Sequence, residues 1–130
     1  MTPLVVVDTH VKSIVLYGSD RDLCNSLQLL FQDDYRIFTA EDFNAVAPVV
    51  DDIAPALLIA DVLPTERVGG LFAQLKQRHP ELNIVLFFAP RYHGTPLPES
   101  IRKNVDSILY KPVDLETVTT RVRESISHAH

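Results

Sequence analysis

Short apolar runs alternate with segments whose apolar residues recur every three or four positions, and that rhythm organises the chain. Ser13-Ile14-Val15-Leu16-Tyr17 is rich in strand formers and is stopped by Gly18-Ser19-Asp20. Leu23, Leu27, Leu30 and Phe31 follow at i, i+4, i+7 and i+8, which predicts an amphipathic helix over residues 20–32. Tyr35-Arg36-Ile37-Phe38-Thr39 reads as a second strand. Phe43, Val46, Ala47 and Val50 mark a second helix, which Pro48 is expected to shorten or kink.

The middle of the chain repeats the alternation. Ala56-Leu57-Leu58-Ile59-Ala60 is uninterrupted and apolar, as a central strand covered on both faces must be, and it ends on Asp61. Val68, Leu71, Phe72 and Leu75 stand at helical spacing before His79-Pro80. Asn83-Ile84-Val85-Leu86-Phe87-Phe88 predicts a fourth buried strand. Pro90, Gly94, Pro96 and Pro98 then impose a long loop, leaving a short helix over residues 99–104. Ser107-Ile108-Leu109-Tyr110 is a fifth strand, and Leu115, Val118, Val122 and Ile126 form the stripe of a last helix.

Strands that are apolar on both faces and alternate with helices indicate an α/β fold with a doubly wound parallel sheet. Ligands on such sheets gather beyond the strand C-termini. That edge would carry Gly18, Ser19 and Asp20 after the first strand, Asp61 after the third, Phe88 and Ala89 after the fourth, and Lys111 after the fifth.

Composition narrows the class. At 130 residues the chain fits one domain, here residues 11–127 with residues 1–10 as an N-terminal extension. Apolar residues make up 46% and charged residues 22%, the balance of a globular protein. One cysteine, Cys24, allows no disulfide framework, and the apolar run Leu4-Val5-Val6-Val7 is too short for a secretory or membrane segment. A cytoplasmic location is therefore expected. The net charge of −5 gives no electrostatic case for nucleic acid. There is no G-x-G-x-x-G, no P-loop and no D-x-H-x-x-G, and His10, His79, His93, His128 and His130 show no metal-ligand spacing. Cys24, inside the first helix pattern, reads as a small buried or half-buried thiol and not as a nucleophile.

The run Ala56-Leu57-Leu58-Ile59-Ala60-Asp61 with Pro64 and Gly69 after it, joined to Ile108-Leu109-Tyr110-Lys111-Pro112, makes the chain resemble the receiver domain of bacterial response regulators. The resemblance covers residues 11–127 and implies a flavodoxin-like (βα)5 fold with sheet order 2-1-3-4-5. It implies that Asp61 is the phosphoacceptor for a histidine kinase and that Lys111 supplies an ammonium to the phosphoryl oxygens. Pro112 matches the family proline that follows a cis bond. The implied cofactor is Mg2+, for which the matching ligands would be Asp61, Asp20 and the backbone carbonyl near Leu63.

Departures from the family pattern are equally specific. Gly18 and Ser19 stand where the family has its metal-binding acid pair, so the site is expected to attract a divalent cation weakly. Asp20 lies one position further on, where it or Ser19 would cap the helix. Phe88 replaces the hydroxyl residue at the end of the fourth strand and is expected to crowd the pocket; Ala89 follows it. Ile108 holds the place of the aromatic switch residue, with Tyr110 close by. Pro64 follows Asp61 by three residues instead of four, so the intervening loop is expected to be re-cut.

The leading reading is a non-enzymatic signalling domain of a two-component phosphorelay. Its implied partners are a histidine kinase or other signalling protein. An effector domain or second copy would dock on the face of the fourth helix, fifth strand and fifth helix, drawing on residues 91–104 and 108–118. The alternative is a phosphorylation-independent pseudo-receiver. A small α/β enzyme or carrier for an anionic ligand is the third class, with no acid–base pair beyond Asp61 and Lys111 to serve it.

Overall fold

A computed structural model describes residues 11–90 and 96–127. The expectations for residues 1–10, for positions 91–95 of the loop, and for His10, His93, His128 and His130 lie outside the described residues. Five strands and five helices alternate: β1 (Ser13–Gly18), α1 (Arg21–Phe31), β2 (Arg36–Ala40), α2 (Phe43–Ile53), β3 (Leu57–Asp61), α3 (Glu66–Arg78), β4 (Asn83–Phe88), α4 (Glu99–Asn104), β5 (Ser107–Tyr110) and α5 (Leu115–Ser127). The strands form one parallel sheet in the order β2-β1-β3-β4-β5. Both the fold class and the strand order expected from the sequence are therefore observed.

Side-chain alternation along the strands divides the core in two. Ile14, Leu16, Leu57, Ile59, Val85, Phe87 and Leu109 face α1 and α5, where Leu27, Phe31, Val118 and Val122 cover them. Val15, Leu58, Ala60, Ile84, Leu86 and Phe88 face α2, α3 and α4, under Val46, Val50, Phe72, Leu75 and Ile101. Strand β3 is fully buried from Leu57 to Ala60 and emerges only at Asp61, which is why its sequence is apolar without alternation.

The helices that leave the C-terminal edge of β1, β2 and β3 are each capped by a side chain. Asp20 accepts from Leu23 N–H, Asp42 from Ala45 N–H and Thr65 from Val68 N–H. The helix α2 corrects one expectation, because it runs unbroken from Phe43 to Ile53 with Pro48 inside it. Pro48 sits in the second turn, so the single amide bond it forgoes would have gone to Asn44 in the first turn. Burial of Val46 and Val50 on either side holds the segment helical.

Helix α4 is only six residues long, and it docks on α3 through a close approach at Gly69. A Cβ built there would fall 1.9 Å from Ser100 Oγ, 2.7 Å from Ser100 Cβ and 3.1 Å from Ile101 N. Its neighbour Gly70 meets nothing within 4 Å. The two glycines therefore predict opposite responses in urea denaturation. Gly69→Ala should lose about 1–3 kcal/mol by overpacking, whereas Gly70→Ala should gain about 0.5–1 kcal/mol from helix propensity.

Candidate functional site

Asp61 ends β3 opposite Gly18 on one side and Phe87 on the other. By alternation from Ile59 its side chain lies on the α1/α5 face of the sheet. The carboxylate is nine-tenths covered, with a side-chain exposure of 10%. The ammonium of Lys111 reaches it from beyond β5, with Nζ donating to both Asp61 oxygens at 3.2 Å. The same Nζ lies 3.4 Å from Asp20 Oδ2. Three residues from three separate segments thus meet at one edge, in a cluster of two carboxylates around one ammonium.

Asp20 serves two purposes at once. Its Oδ1 accepts from Leu23 N–H at 3.0 Å and caps α1, while its Oδ2 faces Lys111. The cap therefore belongs to Asp20, and Ser19 is exposed beside it. The Leu23 N–H bond, opposed by burial and aided by Lys111, holds the Asp20 carboxyl below its ordinary pKa. Burial works against the charge of Lys111. The bonds and charges of Asp61 and Asp20 outweigh it and hold the ammonium's pKa above its ordinary value. Cys24 is half-buried near this cluster, and burial together with the Asp61 and Asp20 charges raises its thiol pKa. That disfavours the thiolate and agrees with a non-nucleophilic role.

Gly18 is more than a missing acid. A Cβ at this position would stand 2.7 Å from Asp61 Cβ and 3.1 Å from Asp61 O, so β1 and β3 come together more closely than a side chain permits. No residue pattern in the sequence signals that approach. Leu63 is half exposed, and its carbonyl accepts from Thr65 N–H at 2.9 Å within the loop after β3.

On the other face, the expectation that Phe88 crowds the acid pocket is not met. Its ring is 8% exposed and belongs to the core under α3 and α4, one residue out of phase with Phe87 and hence on the opposite face from Asp61. It packs against Tyr110 at a centroid distance of 5.3 Å and a tilt of 58°. Tyr110 is 57% exposed, and Ile108 packs partly buried against the same cluster. Ala89 and Pro112 are exposed, and the Lys111-Pro112 bond is cis. The Phe88 carbonyl accepts from the Lys111 backbone N–H at 2.9 Å, which ties the ends of β4 and β5 together.

The donor set does not suit a bound Mg2+. Asp61 and Asp20 are its only carboxylates, both already lie against an ammonium, and Leu63 O is engaged locally. Among the described residues no cluster of three or more His, Cys, Asp or Glu side chains could hold a metal ion. Among the same residues, no helix is long and apolar enough to cross a membrane.

No family model matches the chain. The sensory transduction protein BceR of Halalkalibacterium halodurans is 22% identical over 118 residues, which covers 90% of this chain and 51% of that protein. The chain thus spans about half the length of the curated relative it matches. The signal receiver domain of an HD domain-containing protein from Pseudomonas fluorescens Pf-5 superposes with a TM-score of 0.79 at 21% identity, covering 98% of this chain and 96% of that one. A two-component response regulator from Clostridium difficile gives 0.74 at 17% identity, covering 90% and 97%. The chain thus has the fold of these receiver domains.

Two expectations follow from the site. Gly18→Ala should cost about 1–3 kcal/mol in urea denaturation, because the β1–β3 contact must open, while Ser19→Ala should stay within ~0.5 kcal/mol of the parent. Asp20→Asn preserves a cap but removes the charge. Because the folded pKa of Asp20 is depressed, its charge stabilises the fold above the ordinary carboxylate range. The stability gap between wild type and Asp20→Asn should therefore be open at neutral pH. It should close as pH falls through the lowered Asp20 pKa in thermal melts.

Proposed function

We propose that this receiver-fold domain acts as a signalling module of a two-component phosphorelay, with Asp61 as the phosphoacceptor. The observation that carries the reading is the Lys111 ammonium 3.2 Å from both oxygens of a largely covered carboxylate at the C-terminal edge of the sheet. An Asp61 oxygen would form the new P–O bond as the P–N bond of a phosphohistidine breaks, its electron pair returning to the imidazole. Lys111 would then follow the charge from the carboxylate to the phosphoryl oxygens, which offer a stronger charge-assisted partner. Since the Lys111 backbone bonds Phe88 O, that movement bears on the β4–β5 edge and on the exposed Tyr110 ring stacked there.

A histidine kinase is the proposed donor, in the cytoplasm. The α4–β5–α5 face is the proposed contact for an effector domain or a second copy, without nucleic-acid contact by this domain. The site is atypical for a receiver, because Gly18 and Ser19 replace an acid pair.

A second reading keeps the fold and drops the chemistry: a pseudo-receiver that binds its partner constitutively, with Asp61–Lys111 as a structural ion pair. The close approach of β1 at Gly18 favours it, because it leaves no room for a side chain, and so for an acid, beside Asp61. Incubation with acetyl phosphate, with and without Mg2+, followed by intact-mass and peptide analysis separates the two. The phosphoacceptor reading expects a gain of one phosphoryl group on Asp61 that Asp61→Asn lacks. No gain, under conditions that modify an ordinary receiver, leaves the constitutive module.

A further inference from the structure

We propose that Lys111 is a tethered cation standing in the place between Asp61 and Asp20 that a divalent metal would bridge, so that the site needs no resident metal. The geometry of all three residues converges on this. One Nζ spans both carboxylates, at 3.2 Å from each Asp61 oxygen and 3.4 Å from Asp20 Oδ2. Asp20 is not free to turn elsewhere, because its other oxygen is fixed by the 3.0 Å bond that caps α1.

The remaining donors that a metal would need are also accounted for. Gly18 offers no side chain, and a Cβ there would press within 2.7 Å of Asp61 Cβ. Ser19 is exposed, and Leu63 O already accepts from Thr65 N–H. A divalent ion shared by the two carboxylates would have to displace the ammonium or sit against it, a like-charge contact. An ammonium on its own side chain carries no such conflict and cannot diffuse away.

The inference deepens the phosphoacceptor reading by naming the cation of that site. It is tested by binding and not by phosphotransfer, so either can fail without the other. The experiment is a titration of the full chain with Mn2+ and Mg2+, following amide signals around Asp61 by paramagnetic broadening and heat by calorimetry. Wild type should show no saturable binding at Asp61. Lys111→Met, which leaves both carboxylates uncompensated, should gain Mn2+ affinity at least ~10-fold, and adding Asp20→Asn should abolish the gain. Lys111→Gln is run in parallel, so that a folding failure in one variant does not empty the test. Saturable Mg2+ or Mn2+ binding at Asp61 in wild type overturns the proposal, as does the absence of a gain in the folded Lys111 variant.

Discussion

Lys111 meets Asp61 over the end of a strand that lies between theirs. In the order β2-β1-β3-β4-β5 the two residues belong to strands two places apart, a gap of about 10 Å at the usual strand spacing of roughly 4.8 Å. The lysine stem and the aspartate side chain close that gap from its two sides, past the end of β4, where Phe87 is the residue paired with Asp61. Strand parity keeps the Phe88 ring off this face. Asp61 and Lys111 share the phase of Ile59 and Leu109, toward α1 and α5, while Phe88 takes the opposite phase and turns its ring down under α4. A one-residue slip in β4 would send the phenyl ring into the path of the ammonium. The packing of Phe88 against Tyr110 and the Lys111 N–H bond to Phe88 O both hold that register.

Much of this was readable from residues alone, for a definite physical reason. A strand covered on both faces has to be apolar without alternation, and Leu57-Leu58-Ile59-Ala60 is; helices laid on such strands need a stripe, and Val118, Val122 and Ile126 supply one. Strand order and the meeting of Asp61 with Lys111 came from the resemblance, since periodicity carries no information about which strands neighbour each other. Other features escaped. Asp20 reaches a lysine 91 positions away while capping its own helix, and local sequence shows only the cap. Pro48 was expected to shorten or kink its helix, because the helix rule ignores how much burial at Val46 and Val50 outweighs one missing amide bond. Phe88 looked like an obstacle because its side-chain direction depends on a register that only the sheet fixes.

Charge is the economy of the site. Two carboxylates brought together at the edge of a sheet repel, and the ordinary remedies are to protonate one, to add a metal or to add an ammonium. Here the ammonium is present and its effects are mutual: the acids raise the Lys111 pKa, and the Leu23 N–H together with Lys111 lowers that of Asp20. On the proposed reading such an arrangement calls for no diffusible ion. It also means that any anion arriving at Asp61 finds a cation that is already shared, so the strength with which Asp20 retains Lys111 sets how readily the ammonium transfers.

Gly18 stands where the receiver resemblance implies a metal-binding acid. The backbone of β1 lies against Asp61 so closely that a Cβ would come within 2.7 Å of Asp61 Cβ, and Gly18 is the residue paired with Asp61 in the sheet register. An acid there would first have to push the two strands apart, at a cost to the buried pair Leu16–Ile59 and the half-buried Tyr17 against Ala60 just behind it. On the proposed reading, the absence of an acid at position 18 and the close strand contact are a single feature, and the ammonium of Lys111 is the positive charge compatible with it.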